Sequence, residues 1–186
     1  MSSPKTAASG IKWAGAGMVL ACVATLFYPG LHNYGLMLLS IALASGAAWY
    51  SGKKVAMTDM PQMIALYNGM GGGAAAAIAA IGLYSGAAHG GFIGTILAVA
   101  GALIGAVSLS GSAIAWAKLD GKMRSVVNIN NVQIINMSLF AITVALGIAI
   151  IAGYDNAFIV SLFFILALVF GVMMTLTILV RFVMWF

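Results

Sequence analysis

The residues of this chain that could do chemistry are few and mostly uncharged. Asn68, Ser108, Ser112 and Asn136 sit inside apolar stretches, and His89 sits in a short polar segment. Amides and hydroxyls donate and accept hydrogen bonds without holding a proton near neutral pH, whereas histidine titrates there. An amide such as Asn68 within an apolar run has two readings, an interhelical hydrogen bond or a member of a hydrated proton path. Ser108 and Ser112 step with Gly101 and Gly105 along one helical face, which reads as a packing stripe whose hydroxyls could line a channel. Asn136 is a second, shallower amide. His89 is either a proton acceptor at a channel mouth or a solvated loop side chain.

No catalytic constellation can be assembled. Asp120 and Asp155 are isolated loop acids, and the single cysteine, Cys22, lies in an apolar run, so no metal or cofactor site is assigned. Gly69 to Ala74 fits the dinucleotide pattern G-x-G-x-x-A. That pattern requires a strand before it and an acid ~20 residues after it. Here it lies within a helical span, and the next acid is Asp120. The glycines have another use. Gly69 and Gly73 form a G-x-x-x-G step, extended by Ala77, that lets a neighbouring backbone come close. Gly71, Gly72 and Gly73 in a row also weaken a helix by up to ~1 kcal/mol each, which suits a hinge. Asp59, Pro61 and Gln62 read as a helix start, with Asp59 and Gln62 forming a capping box.

The elements that must position these residues follow from composition. Of 186 residues, 63% are hydrophobic and 6% charged, against ~25% charged in a soluble domain. The chain is therefore expected to be an all-α, polytopic transmembrane helix bundle occupying 1–186. Spans are expected at about 11–28, 34–51, 60–84, 92–117, 131–153 and 157–184, close to the ~20 residues that cross a bilayer. Pro29-Gly30 ends the first span, and Gly52 with the Lys53-Lys54 pair closes the second. All eight basic residues, Lys5, Lys12, Lys53, Lys54, Lys118, Lys122, Arg124 and Arg181, then fall on one side. This predicts both termini in the cytoplasm. The net charge of +5 is too dispersed for a nucleic-acid surface.

MTDMPQMIALYNGMGGGAAAAIAA (57–80), followed by GAVSLSGSAIAWAKLDGK (105–122), resembles the beta subunit of proton-translocating NAD(P) transhydrogenase. The resemblance covers nearly the whole chain to about Met174. It implies the membrane-domain part of an enzyme that couples hydride transfer between NADH and NADP⁺ to proton movement across a bacterial cytoplasmic (inner) membrane. NAD and NADP would be held on partner domains, none by this chain. Partners would be the lipid bilayer, the alpha subunit and further beta-subunit parts in a hetero-oligomer. By the resemblance this stretch is truncated at both ends, without an NADP-binding domain. It starts at a Ser3-Pro4-Lys5 loop and departs from the family's pattern after Met174. The family's relay histidine aligns near Gly94, with His89 only a loose substitute. Alternative expectations are a stand-alone six-helix transporter or channel, or a non-catalytic truncated subunit.

Overall fold

The computed structural model describes residues 4–27, 30–85, 91–123 and 131–183, with side chains between residues 9 and 177 of those ranges. His89 and Arg124 lie outside the described residues. Six α-helices are long and apolar enough to cross a membrane, and no strand occurs among the described residues.

The chain divides into two units, Met1–Lys54 and Val55–Phe186. The first comprises α1 (Pro4–Leu26) and α2 (Tyr34–Lys54). α1 begins about two turns before the start expected from hydropathy, because Pro4 suits a first helical turn and the alanines after it favour helix. Its apolar span is Ser9–Leu26. α2 runs past the expected boundary at Ser51 and closes on Gly52, Lys53 and Lys54, which form its last turn. Two cations in the last turn oppose the negative end of the helix dipole.

The second unit begins with a 3₁₀ turn, Met57–Asp59, leading into α3 (Met60–Tyr84). The expected capping box does not form. Asp59 has helical backbone angles (φ −96°, ψ 0°) instead of the extended ones of a cap, and makes no side-chain cap bond. Gln62 instead reaches across to α4 (Gly91–Leu119), donating from Nε2 to the Leu119 carbonyl at 3.1 Å. α4 stops at Gly121, whose φ of +72° allows the Lys122 amide to bond the Ala117 carbonyl and the Gly121 amide that of Lys118, both at 3.1 Å. α5 (Val132–Ile151) starts at Asn131, which makes no side-chain cap bond. α6 (Ala157–Val183) is capped by Asn156, whose Oδ1 accepts from the Phe158 amide.

α4 is the central helix of this unit, packed against α3, α5 and α6. The apolar core of the unit lies towards the end where α3 and α5 finish and α4 and α6 begin, where Tyr84 also hydrogen-bonds Ser161 at 2.8 Å. Ala79, Leu83, Val99, Ala102, Ile150, Val160 and Phe163 form that core. Gly147 admits Val99 and the Phe163 ring, each of which would meet a Cβ there within about 3.3 Å. Lipid is as apolar as leucine, so this core holds by close packing and dispersion more than by expelling water. The side-chain amides that bond between helices, Gln62, Asn68 and Asn136, lie towards the other end.

Candidate functional site

The polar groups of α3 and α4 meet at one crossing. The Asn68 amide nitrogen donates to Ser112 Oγ at 2.9 Å and to Ser108 Oγ at 3.1 Å. Ser108 and Ser112 are four residues apart, so successive turns of α4 present both hydroxyls to the same side chain. Ser112 is only 8% exposed, whereas Asn68 is exposed. The Oδ1 of Asn68 accepts no hydrogen bond among the described residues and remains available.

A short asparagine spans two helices only where their backbones nearly touch, and glycine makes that possible. A Cβ on Gly105 would lie 2.6 Å from the Gly72 carbonyl oxygen and 2.7 Å from the Ala76 nitrogen. A Cβ on Gly72 would lie 2.7 Å from Ser108 Cβ, and one on Gly69 3.0 Å from Ser112 Cβ. Gly72 and Gly105 thus exclude alanine at this helix separation, and at Gly69 a Cβ would be tight against Ser112. The face of α3 turned to α4 runs Gly69, Gly72, Ala76, Ala79, Leu83, a mixture of three- and four-residue steps that keeps to one side of a 3.6-residue helix. The expected Gly69–Gly73 step does meet α4, but its extension to Ala77 does not, since Ala77 is exposed. Gly73 admits the Leu109 side chain, 3.2 Å from where its Cβ would be, and Gly101 faces Ala79 at 4.0 Å. A Cβ on Gly71 would meet nothing within 4 Å among the described residues.

The remaining candidates are placed elsewhere. Asn136 joins α5 to α6, donating from Nδ2 to Thr177 Oγ1 at 3.1 Å, and its buried Oδ1 has no hydrogen-bond partner among the described residues. His89 lies outside the described residues. The Gly69–Ala74 pattern falls in the middle of α3, where amides are committed to the helix and Gly72 is pressed on α4, so no pyrophosphate can be cradled there. No cluster of metal-ligating side chains occurs among the described residues.

Sequence reasoning missed a second close crossing, between α4 and α6. A Cβ on Gly171 would lie 2.7 Å from the Val107 carbonyl oxygen and would also collide with Ser110 Oγ. A Cβ on Gly111 would lie 2.8 Å from Thr175 Oγ1. The signal was a lone glycine in the apolar run around Phe170, with Thr175 and Thr177 one and two turns on. The Gln62 bridge was also missed, because that residue type fits a capping box equally well.

Amides and hydroxyls in such a cluster can orient water and pass hydrogen bonds along, but they do not store a proton. The fold and the crossing therefore define a multi-pass membrane protein with a cluster of polar, uncharged side chains between two helices. The family model described as NAD(P) transhydrogenase beta subunit matches residues 1–180. Two Rhodospirillum rubrum proteins named NAD(P) transhydrogenase subunit beta are each 34% identical over 128 residues, 65% of this chain and 28% of theirs. This chain belongs to the NAD(P) transhydrogenase beta-subunit family. It spans less than a third of the length of those curated relatives, and what it contributes is membrane-crossing helix.

Proposed function

We propose that this chain forms membrane-domain helices of a transhydrogenase in which hydride transfer between NADH and NADP⁺ is coupled to proton movement. Both nucleotides would bind on partner domains, with an alpha subunit among the partners. The membrane would be a bacterial cytoplasmic one, with the lysine-bearing ends of the helices on the cytoplasmic side. The family match supports the enzyme class, and it does not favour a stand-alone transporter or channel. The observation that carries the role of this chain is the Asn68–Ser108–Ser112 cluster.

Asn68 follows Met60 by eight residues, which places it ~12 Å along α3 from its start. Both protons of its amide are given to serine oxygens, so the two hydroxyl protons are turned towards other acceptors. The free Oδ1 offers an acceptor to water or to a neighbouring helix. Together these groups form a short relay on the side of the nucleotide domains, while an ionisable group elsewhere in the enzyme would hold the proton. The Gly69–Gly72–Gly105 contact keeps the relay at hydrogen-bonding distance.

The test is Asn68→Leu in the complete enzyme, with proton pumping in vesicles and hydride transfer measured in parallel. The relay reading expects pumping to fall at least tenfold, with hydride exchange between bound nucleotides far less affected. Unchanged pumping would reduce Asn68 to a packing residue. The double change Ser108→Ala and Ser112→Ala is expected to reproduce the Asn68 phenotype.

A further inference from the structure

Lys53 and Lys54 close α2, and each lies over the aromatic ring one turn before it. Lys53 Nζ is 4.5 Å from the centroid of Trp49, and Lys54 Nζ is 4.3 Å from that of Tyr50, whose hydroxyl it also contacts. Neighbouring residues on a helix are about 100° apart, so the two pairs run side by side as one patch. Trp49 and Tyr50 are 69% and 63% exposed. Neither ammonium forms an ion pair among the described residues. Lys122 provides a contrast: it too lies over a ring, 4.2 Å from the Trp116 centroid, but Asp120 neutralises it at 2.6 Å. The three acids of the chain, Asp59, Asp120 and Asp155, all follow Lys54, so no carboxylate within Met1–Lys54 competes for the patch.

We propose that this patch binds the headgroup phosphate of an anionic phospholipid. α2 has 21 residues, ~31 Å of helix, which places its end at the boundary of the hydrocarbon. There the rings rest among the glycerol backbones and the ammonium groups reach the phosphates. Each ammonium has three N–H donors; the ring beneath Lys53 leaves two for phosphate oxygens, and Lys54, which also donates to the Tyr50 hydroxyl, keeps at least one. Stacking also holds the two charges in place, so less side-chain freedom is lost on binding. A zwitterionic headgroup brings its own cation to the same place and gains less. Charge complementarity thus selects the anionic lipid.

The experiment reconstitutes the full chain in nanodiscs with equal phosphatidylglycerol and phosphatidylcholine, and counts retained lipid by native mass spectrometry. Phosphatidylglycerol is expected to be retained in preference. At ~1 kcal/mol per basic residue near an anionic surface, about fivefold each, the double change Lys53→Gln and Lys54→Gln should lower the preference on the order of 10- to 25-fold. Lys122→Gln should change it less than about twofold, because that charge is already paired. Changing both α2 lysines to arginine should preserve it. If the glutamine variant fails to insert, 0.5 M salt on the unaltered chain must weaken the preference. Equal retention of the two lipids, a preference untouched by salt, or one untouched by the glutamine changes overturns the proposal. So does protection of both lysines from acetylation by an acidic partner protein but not by phosphatidylglycerol, which would assign the patch to protein docking.

Discussion

Gly105→Ala tests the physical basis of the α3–α4 crossing most directly. The new Cβ would lie 2.6 Å from the Gly72 carbonyl oxygen, where ordinary contact begins at 3.4 Å. The obstacle is backbone on both sides, the Gly72 oxygen and the Ala76 nitrogen, so no side-chain rotation relieves it. The helices must separate by about 0.8 Å, the difference between those two distances. Separation of that size along the bond would stretch Asn68–Ser112 from 2.9 Å to about 3.7 Å, past hydrogen-bonding range. Overpacking of this kind costs about 1–3 kcal/mol, and two weakened interhelical bonds add about 0.6 kcal/mol each. The expected total is about 2–4 kcal/mol, set against an offset of up to ~1 kcal/mol from the better helix propensity of alanine. Gly71→Ala is the matched control, because its Cβ meets open space and only the propensity gain remains. Equilibrium unfolding in mixed micelles should therefore show opposite signs, with Gly105→Ala destabilised and Gly71→Ala neutral or slightly stabilised. Equal stabilities for the two variants would refute the claim that backbone contact sets this crossing.

Gly171→Ala should destabilise by about 1–3 kcal/mol in the same assay, since its Cβ would press on the Val107 backbone. Asn136→Leu should leave stability within about 0.5 kcal/mol of the parent or raise it. It removes a buried acceptor that has no partner among the described residues, and Thr177 keeps its bond to the Met173 carbonyl. A loss above about 2 kcal/mol would show that Asn136 Oδ1 holds a donor, such as a bound water, worth more than one hydrogen bond.

The crossing positions also separate what composition dictates from what packing dictates. Six apolar runs of sufficient length can satisfy their backbone groups in a bilayer only as helices, so the fold class was legible from hydropathy and charge. So was the importance of the glycine segment, because glycines within a spanning helix either let another backbone approach or permit bending. Its exact face was not legible. Gly69–Gly73–Ala77 and Gly69–Gly72–Ala76 are both reasonable helical stripes, and only the course of α4 across α3 selects the second.

The sequence by itself determined the membrane class, the helix count, the family and the identity of the polar residues, since these depend on local composition and motif. Only the tertiary structure decided the pairings: Asn68 with Ser108 and Ser112, Asn136 with Thr177, Gln62 with Leu119, and Gly171 against Val107. All of these partners lie 40 or more residues apart in the chain; the first four contacts are hydrogen bonds and the last is steric. A hydrogen bond needs its atoms within a few tenths of an ångström, and a steric exclusion needs still less tolerance. Helical periodicity fixes which residues share a face, but the rotation and separation of two helices come from how their surfaces fit. In this chain that fit is set by glycines, which record in the sequence where a neighbour can approach but not which neighbour it is.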